Sequence, residues 1–144
     1  MKNFLLFLFG LSLISSASNV NAQNQSSDDW SHIFLKPTGN NEIDGVLAWF
    51  KQVNCDGEQV VLLKLQNTNP FTVVVNWSEA VFKRDLSWIN KEEQIQHIQI
   101  PADETVEGKC TDSNVLKIEL SKFVDDPKEF KRFSTNGFAV QPLK

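Results

Sequence analysis

An all-β fold, an antiparallel β-sandwich of about six to eight strands, is what this sequence predicts. Three observations carry that prediction. Apolar residues recur with a period of two, as in Val61, Leu63 and Leu65, in Phe71, Val73, Val75 and Trp77, and in Leu116, Ile118 and Leu120. β-Branched and aromatic side chains fill those runs. Turn formers such as Asp56-Gly57, Asn67-Thr68-Asn69-Pro70 and Pro101-Ala102-Asp103 interrupt them, dividing the chain into short strands at spacings of about 8–12 residues.

The chain opens on an export address. Lys2 precedes the apolar run Phe4 to Ile14, and Val20-Asn21-Ala22 sets small or moderate side chains at a cleavage point. This is the three-part pattern of a secretory signal peptide over residues 1–22, cleaved after Ala22, and it predicts a secreted or periplasmic product. The run is shorter than the roughly 20 apolar residues of a membrane span. Residues 23–40 are expected to be a flexible leader or edge strand: Gln23 to Asp29 is polar, Trp30 to Leu35 reads as an edge strand, and Lys36 to Asn41 gathers turn formers. Residues 41–144 are expected to make a single β-sandwich domain, the default for a chain of this length.

Within that domain, Ile43 to Asn54 reads as a strand ending at Cys55-Asp56-Gly57. Gln59 to Gln66 and Phe71 to Trp77, joined by Asn67-Thr68-Asn69-Pro70, are expected to pair as a hairpin. Ala80 to Phe82 continues or bends that strand, and Lys83 to Glu93 reads as a loop or short ribbon. Gln94 to Ile100 alternates, with Ile95 out of phase with Ile98 and Ile100, which predicts a bulge. Pro101 to Glu104 turns the chain, Thr105 to Cys110 runs back, and Val115 to Leu120 is a strand with Leu116, Ile118 and Leu120 inward. Asp126-Pro127-Lys128-Glu129 carries a capping acid, a first-turn Pro and a Glu, and Phe130 and Phe133 share a helical face. One short helix is therefore expected near residues 126–133, with Gly137 ending it and Phe138 to Gln141 as the last strand. The expected arrangement is immunoglobulin-like, although Cys55 lies at a strand end and not in the middle of an apolar strand, so a disulfide from it ties an end of the sandwich.

Cys55 and Cys110 are the only cysteines, and an oxidising compartment pairs them. Closing that loop is worth roughly 4 kcal/mol in the chain-entropy account. A zinc site built from both cysteines with His32 and His97 lacks the close ligand spacing such sites use. No metal and no cofactor is expected.

Charge and motifs narrow the function. With 14 Lys+Arg against 18 Asp+Glu and a net charge of -4, the chain has no basic stripe for phosphate, which sets nucleic acid aside. No Ser sits in a nucleophile elbow. His32 falls in the leader and His97 on a strand face shared with Gln99, so neither completes a catalytic set. The acids Glu92, Glu93, Asp103, Glu104 and Glu107 have no spacing that pairs them, and capping explains Asp125 and Asp126. Neither Asp125-Asp126 nor Asn40 to Asp44 follows a calcium-loop pattern.

Aromatics are more informative. There are four Trp, eleven Phe and no Tyr. Trp77 belongs to an inward face, whereas Trp88 and Trp30 have polar neighbours and are the candidate binding residues. Asn24-Gln25-Ser26 and Asn76-Trp77-Ser78 match the glycosylation pattern. The expectation is a small exported, non-catalytic, monomeric domain that binds a protein or glycan in the envelope or extracellular space. Alternatives are an assembly subunit that pairs through edge strands, against which Lys64, Lys117 and Glu119 stand as strand charges, and a small secreted hydrolase.

Overall fold

The computed structural model describes residues 29–35 and 39–144; the signal-peptide pattern, residues 23–28 and residues 36–38 lie outside the described residues. The described residues form nine strands: β1 (Ser31–His32), β2 (Glu42–Ile43), β3 (Val46–Cys55), β4 (Glu58–Asn67), β5 (Val73–Lys83), β6 (Trp88–Ile100), β7 (Thr105–Glu107), β8 (Lys117–Glu119) and β9 (Phe130–Pro142). All pair antiparallel. In the first sheet β3 and β4 form the centre, with β1 and β2 along β3 and with β7 and β8 along β4. The second sheet has the order β6-β5-β9.

Alternation builds the core between the sheets. Val46, Ala48 and Phe50 of β3 and Val61, Leu63 and Leu65 of β4 meet Val73, Val75 and Trp77 of β5 and Phe133 of β9 in one buried cluster. Each fully buried aliphatic or aromatic side chain of this kind stabilises by about 1.5–3 kcal/mol. Leu116, Ile118 and Leu120 are all buried, as their alternation predicts. The neighbours β3-β4-β8 in one sheet and β6-β5-β9 in the other follow the A-B-E and C′-C-F pattern of an immunoglobulin-type Greek key. Among the described residues no strand lies beyond β9, where a G strand would stand.

Four local expectations are corrected. The tight hairpin joins β3 to β4, not β4 to β5: Asp56 (φ 55) and Gly57 (φ 92) make the two-residue turn, and Asn54 Oδ1 accepts from the Gly57 N–H at 2.8 Å. The Asn67 to Pro70 segment is instead a corner between sheets. Asn67 is 1% exposed; its Nδ2 donates to the carbonyls of Phe71 (2.9 Å), Ile100 (3.2 Å) and Pro101 (2.9 Å), and its Oδ1 accepts from the Asn69 N–H (3.0 Å). Those bonds seat the start of β5 beside the end of β6, out of reach of β4.

The helix expected near residues 126–133 is a single 3-10 turn, Pro127–Glu129. Asp126 does cap it, accepting from the Lys128 N–H at 2.9 Å, but β9 begins at Phe130. Phe130 and Phe133 are both buried because the register slips between Phe82↔Arg132 and Lys83↔Phe130. The extra residue is Lys131, so a bulge produces the three-residue spacing that imitates a helical turn. Gly137 (φ 64) sits in a second bulge of the same strand, so β9 runs through the point where a helix was expected to end. Finally, Ile95 pairs with Ser78 in unbroken register with Ile98, and it faces solvent at 68% exposure. The β6 irregularity lies earlier, where Asn90 and Ile95 flank the slip opposite Ser78 and Ala80. Lys83 to Glu93 accordingly divides into a tight turn and the start of β6.

Candidate functional site

A row of side chains crosses the outer face of the second sheet. Trp88 of β6 pairs with Phe82 of β5, and Phe82 pairs with Arg132 of β9. Residues directly opposite in an antiparallel ladder share a face, so the three stand side by side over three strands, spanning roughly 10 Å. The Trp88 and Phe82 rings meet edge to face, with centroids 4.5 Å apart at 89°. The Arg132 guanidinium carbon lies 4.5 Å from the Phe82 centroid and 4.8 Å from that of Phe34. Phe34, which follows β1, reaches this row from the margin of the first sheet; its carbonyl accepts from Ser134 Oγ at 3.4 Å.

The row borders a groove of about 510 Å³ between β9 and the margin of the first sheet, with Ile43 and Phe138 also on its walls. Trp88 is 42% exposed and Phe34 41%. The Arg132 side chain forms no ion pair or hydrogen bond with any described residue, so its guanidinium N–H donors stay available. An amphipathic Trp beside a stacked guanidinium suits both apolar contact and recognition of a carboxylate or hydroxyl.

The end that carries Trp88 is held firmly. Between β5 and β6, Leu86 (φ 69) donates its N–H to the Lys83 carbonyl at 3.1 Å. Asp85 accepts from Ser87 Oγ at 2.6 Å and from the Ser87 N–H at 2.9 Å. The side-chain hydrogen bond from Ser87 lowers the Asp85 pKa below its ordinary value. The turn is also tied to the 3-10 segment: Lys83 Nζ pairs with Glu129 at 2.6 Å, Arg84 N–H donates to the Glu129 carbonyl at 2.8 Å, and Arg84 Nε donates to the Lys128 carbonyl at 2.7 Å. Its hydrogen bond to Glu129 raises the Lys83 pKa.

The second candidate, Trp30, stands elsewhere. It packs over the outer face of the first sheet on a small cluster of Cys55, Val60 and Leu62, with Val53 and Cys110. Lys51 Nζ and Lys64 Nζ lie 4.3 and 4.6 Å from its ring centroid, and Trp49, which the sequence reading did not single out, shares Lys64 at 5.0 Å. The structure therefore does not bring Trp30 and Trp88 into one site. Cys55 and Cys110 form the expected disulfide, with Cα atoms 5.3 Å apart, beneath Trp30.

The remaining candidates are scattered. His97 is exposed on β6, opposite Asn76, and His32 contacts Trp49 and Asn41 on the first sheet. Glu92 accepts from Asn90 and Asn136, and Glu107 lies 3.8 Å from Lys51. Among the described residues no three His, Cys, Asp or Glu side chains gather as a metal site, and no helix is long and apolar enough to cross a membrane. Asn76 of the Asn76-Trp77-Ser78 pattern sits in the middle strand of a sheet, with Ser78 buried. Asn24 lies outside the described residues. One carboxylate is unusual: Glu79, 8% exposed, has its pKa raised by burial, an effect that Lys122 and Lys91 partly offset.

Phe34, Phe82 and Arg132 went unnoticed in the sequence because they are far apart in the chain and only the pairing register aligns them. Trp88 alone carried a local signal, an indole amid polar residues. The chain matches no protein-family model, no curated protein and no solved structure.

Proposed function

We propose that this protein is an exported, non-catalytic domain that works by binding, and that its contact surface is the Trp88–Phe82–Arg132–Phe34 row with the adjoining groove. The observation that carries the reading is the exposed Trp88 indole beside a guanidinium that lies over two phenyl rings and has no carboxylate within ion-pair distance among the described residues. Aromatic and Arg side chains of this kind supply most of the energy at protein contacts, and a turn tied down as this one is loses little freedom on binding. Export is supported by the signal-peptide pattern of residues 1–22 and by the disulfide, which belongs to an oxidising compartment.

A protein partner in the envelope or extracellular space is the leading ligand. A glycan is the second reading, favoured by the exposed indole face beside a hydrogen-bond donor. The test is an affinity capture from envelope and culture-fluid extracts, in parallel with a glycan array, using the oxidised chain and its Trp88→Ala variant. A single enriched partner lost with Trp88→Ala supports the reading. A partner retained at full affinity by that variant refutes the row as the contact surface.

A further inference from the structure

We propose that the open edge of β9 is completed by an extended, acidic segment of a protein partner, which adds as a strand along residues 136–142 and places a carboxylate on Arg132. This rests on the binding reading above and specifies its ligand. β9 pairs with β5 on one side, and among the described residues no backbone group pairs with it on the other. Such an edge offers unpaired N–H and C=O groups as a template for another strand.

The other margins of the two sheets are better protected: β9 has a bulge at Gly137 and ends at Pro142, but along residues 133–142 it has neither the charges nor the brevity that guard them. β6, the opposite edge of the same sheet, carries Lys91, Glu92 and Glu93 and is broken there by its register slip. The outer strands of the first sheet are two or three residues long. Charges, bulges and brevity all discourage pairing. From Phe133 to Pro142, by contrast, β9 has no charged side chain. Phe138 and Val140 pack on the core yet remain only partly buried, as apolar positions do where a neighbouring strand is missing. The groove of about 510 Å³ flanks β9 from Arg132 to Phe138, so it joins the start of this edge to the guanidinium.

Charge selects the occupant. Lys131 and Arg132 begin the edge, and neither has a carboxylate within ion-pair distance among the described residues. The Arg132 guanidinium carbon lies over both the Phe34 and Phe82 rings, and a guanidinium fork suits bidentate pairing with a carboxylate. A second copy of this chain is a poorer occupant, because its own β9 brings two cations and no acid. The fitting segment alternates apolar residues towards the core and ends in one or two acidic residues near Arg132.

The test selects phage-displayed random dodecapeptides on the oxidised chain, then follows synthetic winners by affinity and by amide hydrogen exchange. Winners are expected to combine alternating apolar positions with a carboxylate, and to slow exchange at alternate amides of residues 136–142. Arg132→Gln is expected to weaken an acidic winner about tenfold and to leave its amidated analogue unchanged. The exchange measurement uses the unaltered chain, so it stands even if that variant folds poorly. Winners that need Trp88 but leave exchange over residues 136–142 unchanged overturn strand addition while leaving the groove as a binding surface. Winners indifferent to both Trp88→Ala and that edge overturn both readings. An empty selection overturns the proposal too, and retained binding of an anionic oligosaccharide would then assign the groove to glycans.

Discussion

Asn67 and Glu79 are buried polar residues with opposite consequences. Asn67 uses its amide fully: its two N–H donors serve three backbone carbonyls and its oxygen accepts from Asn69. Asn67→Ala removes one partner from each of those carbonyls, of which Pro101 keeps the Glu104 N–H at 3.4 Å, and takes the Oδ1 acceptor from the Asn69 N–H; it is expected to destabilise by about 2–3 kcal/mol, read from urea unfolding. Glu79 forms no ion pair among the described residues, since Lys122 pairs with Glu119 at 3.0 Å and Lys91 lies over the Phe123 ring. Burial raises its pKa above the ordinary 4.5. The native state therefore holds more protons than the unfolded chain between those two values, so stability falls as pH rises through that window and stays reduced above it. Glu79→Gln is expected to raise the neutral-pH urea midpoint and flatten the decline above pH 4.5. Trp88→Ala removes one edge-to-face pair from an exposed site, so it should lower stability by about 1 kcal/mol or less while abolishing partner capture. A large stability loss with intact capture would make Trp88 a packing residue only.

At the scale of the element, β9 decides both core and site. Its two bulges, at Lys131 and at Gly137, let one strand bury Phe130 and Phe133 and then turn the partly buried Phe138 and Val140 onto the core, while Arg132 stays on the outer face. Gly137 holds a positive φ with open space where a Cβ would stand. Gly137→Ala therefore meets backbone strain alone, and is expected to cost about 1–2 kcal/mol in urea unfolding. The β5–β6 turn matters for a different reason: its bonds to Lys128 and Glu129 fasten the loop that bears Trp88 to the segment that begins β9. The row thus spans elements tied together at one end, which keeps its aromatic spacing fixed.

For the whole molecule, the disulfide joins residues 55 positions apart but ties only one sheet, from the end of β3 to the loop after β7. Reduction is expected to lower unfolding free energy by roughly 4 kcal/mol, or less where the reduced chain keeps residual structure. The measurement is paired urea titrations with and without reductant. Partner capture should survive reduction under conditions where the reduced chain stays folded, because the groove lies on the other sheet's edge. Loss of binding with the second sheet intact would show that the sheets are coupled through the core. The long uncharged edge of β9 also frames the assembly alternative: light scattering of a monomer at working concentrations removes self-pairing, and a concentration-dependent dimer sensitive to β9 supports it.

Local chemistry made much of the fold legible. Period-two runs placed β4, β5 and β8, Asp-Gly and Pro-Ala-Asp marked turns, two lone cysteines implied their pairing, and Asp126 announced a cap. These features act over a few residues, or, for the cysteines, leave one possible partner. Sheet membership and register do not: Asn67-Thr68-Asn69-Pro70 reads the same whether it closes a hairpin or turns a corner, and the Phe130/Phe133 spacing reads the same in a helix or a bulged strand. Only the packing of the two sheets, with Asn67 bonded to the end of β6 and Lys131 bulged out of β9, chose between them. The same is true of the site. The sequence exposed Trp88, but it took the pairing of three strands to set Phe82 and Arg132 beside it, because a row across a sheet is defined by hydrogen-bond register between distant segments and leaves no mark along any one of them.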